Sequence, residues 1–326
     1  MTVFLHLLAE KDKAASILNS CSALRASYES PHVFSVKPDA FRKIPGAPFA
    51  YWVSDAVRNS FVAHPAFERE TRFALGGLKT LSDPRFLRLW WEPQSGQTIW
   101  KPIAKGGKFA RIYGDISLVV CWKHEGLDIS WYGYQRRPRE GFGASSRGLE
   151  AYFRPGLTWA RRTQGGFSIR AMPKGCIFAD KGPAAFVSDD DSDELLATLA
   201  LTNSRAFGHL VSLQMAFGSY EVGVIQRTPV PEISGTERTK LENCARNFWG
   251  LRRIIKTVNE TSHAFLLPAA LRARLGEYAP PAIESELADI QAEIDDIAFD
   301  LYGFSDIDRA AALGSSGTAD EEASDA

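Results

Sequence analysis

Between residues 131 and 162, arginine and aromatic side chains alternate at close spacing. They are Trp131, Tyr132, Tyr134, Arg136, Arg137 and Arg139, then Tyr152, Phe153, Arg154, Trp159, Arg161 and Arg162. A guanidinium is a planar fork that matches a phosphate and can grip a guanine edge through two parallel hydrogen bonds. An aromatic ring can stack on a base or shape the wall of a groove. Lys101, Lys105, Lys108 and Lys174 add point charges suited to phosphate contacts, which position a protein on nucleic acid without reading its sequence. Any single Trp or Tyr of the set is expected in the core first, but the arginines as a group are not. Residues 101–181 carry 15 basic against 6 acidic residues, net +9, in a chain whose net charge is only −1. Residues 1–100 are net +3, and residues 182–326, with 11 basic and 24 acidic, are net −13. The central block is where a polyanion would bind, and the competing reading is a solvated, strand-rich surface.

Signatures of catalysis are missing from the sequence. There is no G-x-x-x-x-G-K-[ST] loop and no G-x-S-x-G elbow. Gly106-Gly107 and Gly141-Phe142-Gly143 lack the strand-turn-helix context of a dinucleotide site. The six histidines are scattered, and one inside a helix, such as His209, is expected to be a packed residue rather than a ligand. Asp189-Asp190-Asp191 stands at a helix entrance, where negative charge favours the helix dipole, and is read as that rather than as a metal site. Cys21, Cys121, Cys176 and Cys244 lie 100, 55 and 68 residues apart, which is neither a zinc spacing nor a disulfide framework. Reduced, mostly buried thiols in a cytoplasmic protein are expected. The apolar start, Met1 to Leu8, has no basic flank and ends at Ala9-Glu10-Lys11, so no signal peptide is expected. No run of about 18 apolar residues could form a membrane helix.

The elements that must position the arginines can be read from periodicity. Residues 3–27 read as a helix ended by Ser30-Pro31. Glycine recurs through residues 101–187, and between the glycines lie strand-like runs: 116–122, 157–161 and 176–178. That pattern predicts a compact, irregular, β-rich unit. Helices follow at 193–217, with Ser192 or Asp193 as N-cap, and at 237–258. After Pro280-Pro281, Ile283, Leu287, Ile290, Ile294, Ile297 and Leu301 are spaced 4, 3, 4, 3, 4, a heptad-like seam. Its length favours packing on another helix of the same chain over packing on a partner. The fold class expected is mixed α/β (α+β), with an N-terminal helix or linker over 1–30, a β-rich domain over 31–235, a helical segment over 236–305 and a disordered acidic tail over 306–326.

Several long stretches resemble the large adenine-specific DNA methyltransferases of BREX phage-defence systems (PglX) and the related single-chain restriction-modification methyltransferases. They are residues 44–54 (IPGAPFAYWVS), 77–80 (GLKT) leading to 85–92 (RFLRLWWE), 152–159 (YFRPGLTW) and 167–178 (FSIR, then PKGCIF). Further on come 201–204 (LTNS), 219–231 (SYEVGVIQ, closing on PVP), 259–265 (NETSHAF) and 300–303 (DLYG). The match is ordered and covers about residues 40–305. The resemblance implies the target-recognition region and helical spacer that follow the catalytic domain in that family. The family's Asn-Pro-Pro-Tyr signature, which holds a flipped adenine, is absent from this sequence, as is the glycine-rich S-adenosylmethionine motif. By itself the chain is therefore not expected to transfer a methyl group, and S-adenosylmethionine is expected on a partner methyltransferase.

Two functions of different class follow. The first is a DNA-binding sequence-specificity module that contacts double-stranded DNA through Arg136, Arg137, Arg139, Arg154, Arg161 and Arg162, then Lys79, Arg85 and Lys174. It hands the target adenine to a methyltransferase or other defence-system subunit. The second is a protein-interaction or regulatory piece, a decoy or DNA mimic, acting through the acidic helical third. Neither needs a catalytic residue, a metal or a membrane.

Overall fold

The computed structural model describes residues 1–314 except 27, 29, 95, 164, 216, 217 and 277. In chain order the elements are β1 (Thr2–Leu5), α1 (Lys13–Arg25), β2 (Val33–Val36), α2 (Asp55–Ala63), β3 (Arg72–Leu75), α3 (Asp83–Phe86), β4 (Leu87–Leu89), β5 (Trp100–Ala104), β6 (Leu118–Cys121), α4 (Leu127–Arg136) and β7 (Gly156–Trp159). They continue with β8 (Ile169–Met172), β9 (Ile177–Phe178), β10 (Ala184–Val187), α5 (Ser192–Thr202), α6 (Arg205–Leu213), α7 (Val222–Arg227), α8 (Gly235–Lys256), α9 (Ala269–Arg274), α10 (Pro280–Tyr302) and α11 (Asp306–Gly314).

The fold is mixed α/β. A four-stranded antiparallel sheet runs β3-β10-β7-β8, and a second sheet runs β4-β6-β5-β9, antiparallel except for the parallel pair β5–β9. The first sheet is buried on both faces, and the period of two decides which residue goes where. In β10, Ala185 and Val187 face the helices, while Ala184 and Phe186 face the second sheet. In β8, Ile169 joins the helical core and Met172 the core between the sheets. The result is three layers: helices α5 to α8 and α10, then the first sheet, then the second.

Family-like stretches supply the joints between layers. Trp159, fully buried, donates its indole N–H to the Tyr220 carbonyl at 2.8 Å. Asn203 donates to the Ile169 carbonyl at 2.8 Å and accepts from the Ile169 N–H at 3.2 Å, so its amide acts as one more rung on β8. Trp90 donates to the Thr261 carbonyl, and the His263 ring lies tilted against it with centroids 4.4 Å apart.

Four expectations change. The N-terminal helix is shorter than 3–27: residues 2–5 form β1, paired with β2, and α1 starts after its cap Asp12, whose side chain accepts from the Ala15 N–H. The helix over 193–217 divides at Asn203, whose side chain is spent on β8, and Ser204 caps a new helix through the Phe207 N–H. Asp191, not Ser192 or Asp193, caps α5, accepting from the N–H groups of Asp193 and Glu194. Residues 306–314 of the tail expected to be disordered form α11, where Ser305 and Asp308 bond each other across the first turn and Ala312 is buried. Residues 315–326 lie outside the described residues.

The seam of α10 does pack within the chain, but the stripe it buries is Leu287, Gln291, Ile294, Asp295, Ala298, Phe299 and Tyr302, turned from the pure heptad. The point expected as a boundary, 235/236, falls between α7 and α8, and the apolar core crosses it: Leu157 and Ile169 share one cluster with Leu241, Phe248 and Ile294. All four cysteines are free, Cys176 and Cys244 buried and the other two half-buried. Among the described residues no helix is long and apolar enough to cross a membrane, and no cluster of three metal-ligating side chains occurs.

Candidate nucleic-acid interface

Helix α4 breaks the β-rich block that the glycines predict. Its buried face is Ile129, Ser130 and Gly133, with Ser130 hydrogen-bonded to Ser146 at 2.8 Å. The other face leaves Trp131 and Tyr134 in solvent at 55% and 37% exposure, and Phe142 joins them at 56%. The three rings contact one another with centroids 5.9–6.5 Å apart. Phe142 is presented by a turn in which Gly141 and Gly143 both hold φ near +85°, a conformation natural only to glycine.

Four arginines lie on or beside α4. Arg136 lies over the Tyr132 ring at 5.0 Å and Arg85, from α3, over the same ring at 4.8 Å. Arg137 pairs with Glu140 at 3.1 Å, and Arg139 is exposed in the following turn. Two residues before Arg85, Asp83 binds Lys105 and Thr80. Burial opposes ionisation of Asp83, but those two donors prevail and hold its carboxyl below the usual range. Lys105 in turn lines a cleft of about 1010 Å³. Among the described residues six cations line that cleft, Lys105, Lys108, Arg111, Arg170, Arg252 and Lys256, against one carboxylate, Asp115. The arginines of α4 and α3 are thus joined to the mostly cationic cleft through the Asp83 carboxylate, which binds Lys105.

The nine residues expected to touch DNA do not all gather here. Arg85, Arg136, Arg137 and Arg139 do. Arg162 is exposed and next to Thr163, which lines the cleft. Lys174 is exposed in the β8–β9 turn, apart from both groups. Arg154, Arg161 and Lys79 are occupied. Arg154 donates to Asp190 and to the carbonyls of Val187 and Ser188, over the rings of Phe73 and Phe186. Arg161 holds Glu221 at 2.9 Å and Asp180 at 3.1 Å, and the Glu221 hydrogen bond raises its pKa further. Lys79 is 4.0 Å from Asp180. Arg154 and Arg161 are thus tied to neighbours of the first sheet, while Lys79 makes only this long contact. Their spacing resembles that of the exposed arginines, and only the fold brings carboxylates to them.

Arg111, Arg170, Arg252 and Lys256 do not stand out in the sequence. Arg252 and Lys256 have a readable signal: an i, i+4 cationic pair near the C-terminal end of a helix. The net −13 of that third of the chain hides it. His209 is buried against Phe304 with its pKa lowered by desolvation, a packed residue as expected. Asp191 caps α5 and Asp190 binds Arg154, so two of the three aspartates of the run are spent on structure.

No family model matches the chain. A curated relative, the adenine-specific methyltransferase BrxX of Escherichia coli O9:H4 (strain HS), is 31% identical over 230 residues, which cover 68% of this chain and 17% of that protein. The chain is a homologue of part of an adenine-specific methyltransferase. A second relative, the adenine-specific methyltransferase PglX of Lacticaseibacillus casei (strain Zhang), is 25% identical over 325 residues, 91% of this chain and 26% of its own length. The chain thus spans between a sixth and about a quarter of the curated relatives it matches. Among solved structures, the Type IIL restriction-modification enzyme MmeI in complex with DNA aligns with 78% of this chain and 36% of its own, at 15% identity and a TM-score of 0.46.

Gly106-Gly107 follows β5 and leads into an irregular loop rather than a helix.

Proposed function

We propose that this chain is the sequence-specificity module of an adenine-N6 DNA methyltransferase of the BREX or restriction-modification kind. It binds double-stranded DNA and presents an adenine to a methyltransferase active site that its own described residues do not form. The observation that carries this reading is the pairing of Arg85 and Arg136 on the Tyr132 ring, on the helix that also carries two rings of the exposed aromatic trio, together with a cleft lined by six cations among the described residues. Cations along the cleft suit backbone phosphates, and the α4 tip supplies the apolar rings and guanidiniums that can meet base edges. The relatives' shared description as adenine-specific methyltransferases supports the same reading.

The test is binding of the purified chain to a labelled random-sequence duplex between about 50 and 200 mM salt, where phosphate contacts reveal themselves as counterion release. Steep weakening with salt is the expected result. Absence of binding at the low end would sink the module as an autonomous DNA reader. It would favour the second reading, docking through the exposed acids of α10, among them Glu286, Asp289 and Glu293.

A further inference from the structure

Arg170 is a buried arginine with no carboxylate against it among the described residues. Its strand, β8, alternates, so Ile169 faces the helical core and Arg170 shares the opposite face with Met172. Met172 is inside the second core, whereas Arg170 lies at the sheet edge beneath the loop that follows β5. Its side chain is 7% exposed, and Nη2 donates to the Gly106 carbonyl. The loop is shaped around it. A Cβ on Gly114 would stand 2.8 Å from Arg170 Cδ, and one on Gly107 would stand 3.5 Å from Nη2. The Nε–H is buried with no acceptor among the described residues. Burial alone pulls the pKa down to about 10.

Other buried arginines are compensated. Arg58 has Asp55 at 3.2 Å and Arg72 has Glu194 at 3.5 Å. A buried charge left without its counter-ion is strongly destabilising. Arg170 lines the cleft with five more cations, of which Lys105 is held by Asp83, and the carboxylate among the described lining residues, Asp115, already accepts from Tyr113 and Ser262. We propose that this cleft seats a phosphate group, with Arg170 as its buried counter-charge, the Gly106–Gly107 loop as its wall and Lys108 and Lys256 at its rim. The inference rests on the DNA reading only for the source of the phosphate. A backbone phosphodiester and a free phosphate or nucleotide share the chemistry.

The first arm uses the full chain and inorganic phosphate. Melting in phosphate is compared with melting in chloride at matched ionic strength. The expected result is a saturable rise in Tm, about 2 °C or more at ten times Kd. Lys256→Gln should weaken the response, and Arg170→Met should abolish it while folding without phosphate. If Arg170→Met does not fold, Lys108→Gln combined with Lys256→Gln carries the test. No phosphate-specific rise in the wild type, or an undiminished rise in the variants, overturns the proposal.

A second arm places single uncharged methylphosphonate linkages in a bound duplex. With DNA as the source, one position lowers affinity about tenfold or more, the worth of a hydrogen bond to a charged group. That effect disappears in Arg170→Met, and inorganic phosphate competes with the duplex. A phosphate response without competition keeps the site and assigns it to a free phosphate or nucleotide. DNA binding without any phosphate response keeps the DNA reading and removes the site.

Discussion

Asp295 is 6% exposed in α10, where it accepts from the Arg205 N–H at 2.6 Å and from Gln291 Nε2 at 3.2 Å. Burial outweighs these donors and the Arg205 guanidinium, and pushes its carboxyl up to about 6. An unfolded aspartate titrates near 3.9, so between about pH 4 and 6 the folded state keeps a proton that the unfolded state has released. Stability linked to this group is full below that window and falls as pH rises through it. Above about pH 6 the buried charge costs roughly 2–3 kcal/mol, at about 1.4 kcal/mol for each pH unit between the folded and unfolded titrations. Asp295→Asn keeps the shape without the charge. Urea unfolding should find it more stable than wild type at pH 8 and equal to it near pH 4, and a less stable variant at pH 8 would refute the assignment. The heptad-like spacing predicts a purely apolar seam. One acid is inside because the buried stripe follows 3.6 residues per turn rather than 3.5, which brings Gln291 and Asp295 beneath α6.

Helix α4 shows why the candidate site is only half legible in the sequence. Its residues are visible there, since Arg136, Arg137 and Arg139 stand out by type and spacing. Its structure is not, because Gly126, Gly133, Gly141 and Gly143 read as turns of a sheet. Gly133 is instead a close approach inside a helix, where a Cβ would lie 2.5 Å from Ser145 Oγ. The two kinds of side chain at this tip should separate in one experiment. Neutralising Arg136, Arg137 and Arg139 together should flatten the log–log salt dependence of duplex binding by about 0.9 for each phosphate no longer neutralised. Trp131→Ala should weaken binding with the slope unchanged, because an apolar side chain releases no counterions. Arg154→Ala is the contrast. It should lower stability by about 1–3 kcal/mol by removing charged hydrogen bonds, and leave the slope alone. A triple variant with an unaltered slope would move the interface away from α4.

Across the whole molecule, the three layers have one consequence for how the chain can be divided. The sequence suggests a recognition domain up to residue 235 and a spacer after it, and helices do dominate the later part. The helical layer, however, begins at Ser192, and α8 and α10 close the core on which the first sheet sits. Leu241 and Ile294 are fully buried in that core and Phe248 nearly so. Removing residues 236–314 would strip the cover from a cluster that includes Ile169, Leu210 and Phe207. At about 25 cal/mol per Å² of apolar surface, even a few hundred Å² newly exposed would cost on the order of the 5–15 kcal/mol that holds a domain folded. A chain ending at residue 235 should therefore be expressed unfolded or aggregated, and the full chain should melt its sheet and helices together. Circular dichroism for the helices and the summed fluorescence of the eight tryptophans, buried Trp159 among them, give two probes of that transition. Coincident midpoints are expected. A soluble, cooperatively folded fragment 31–235 would show that the helices are a separable spacer after all. The cleft would then be a boundary between two units, since α8 supplies two of its six cations.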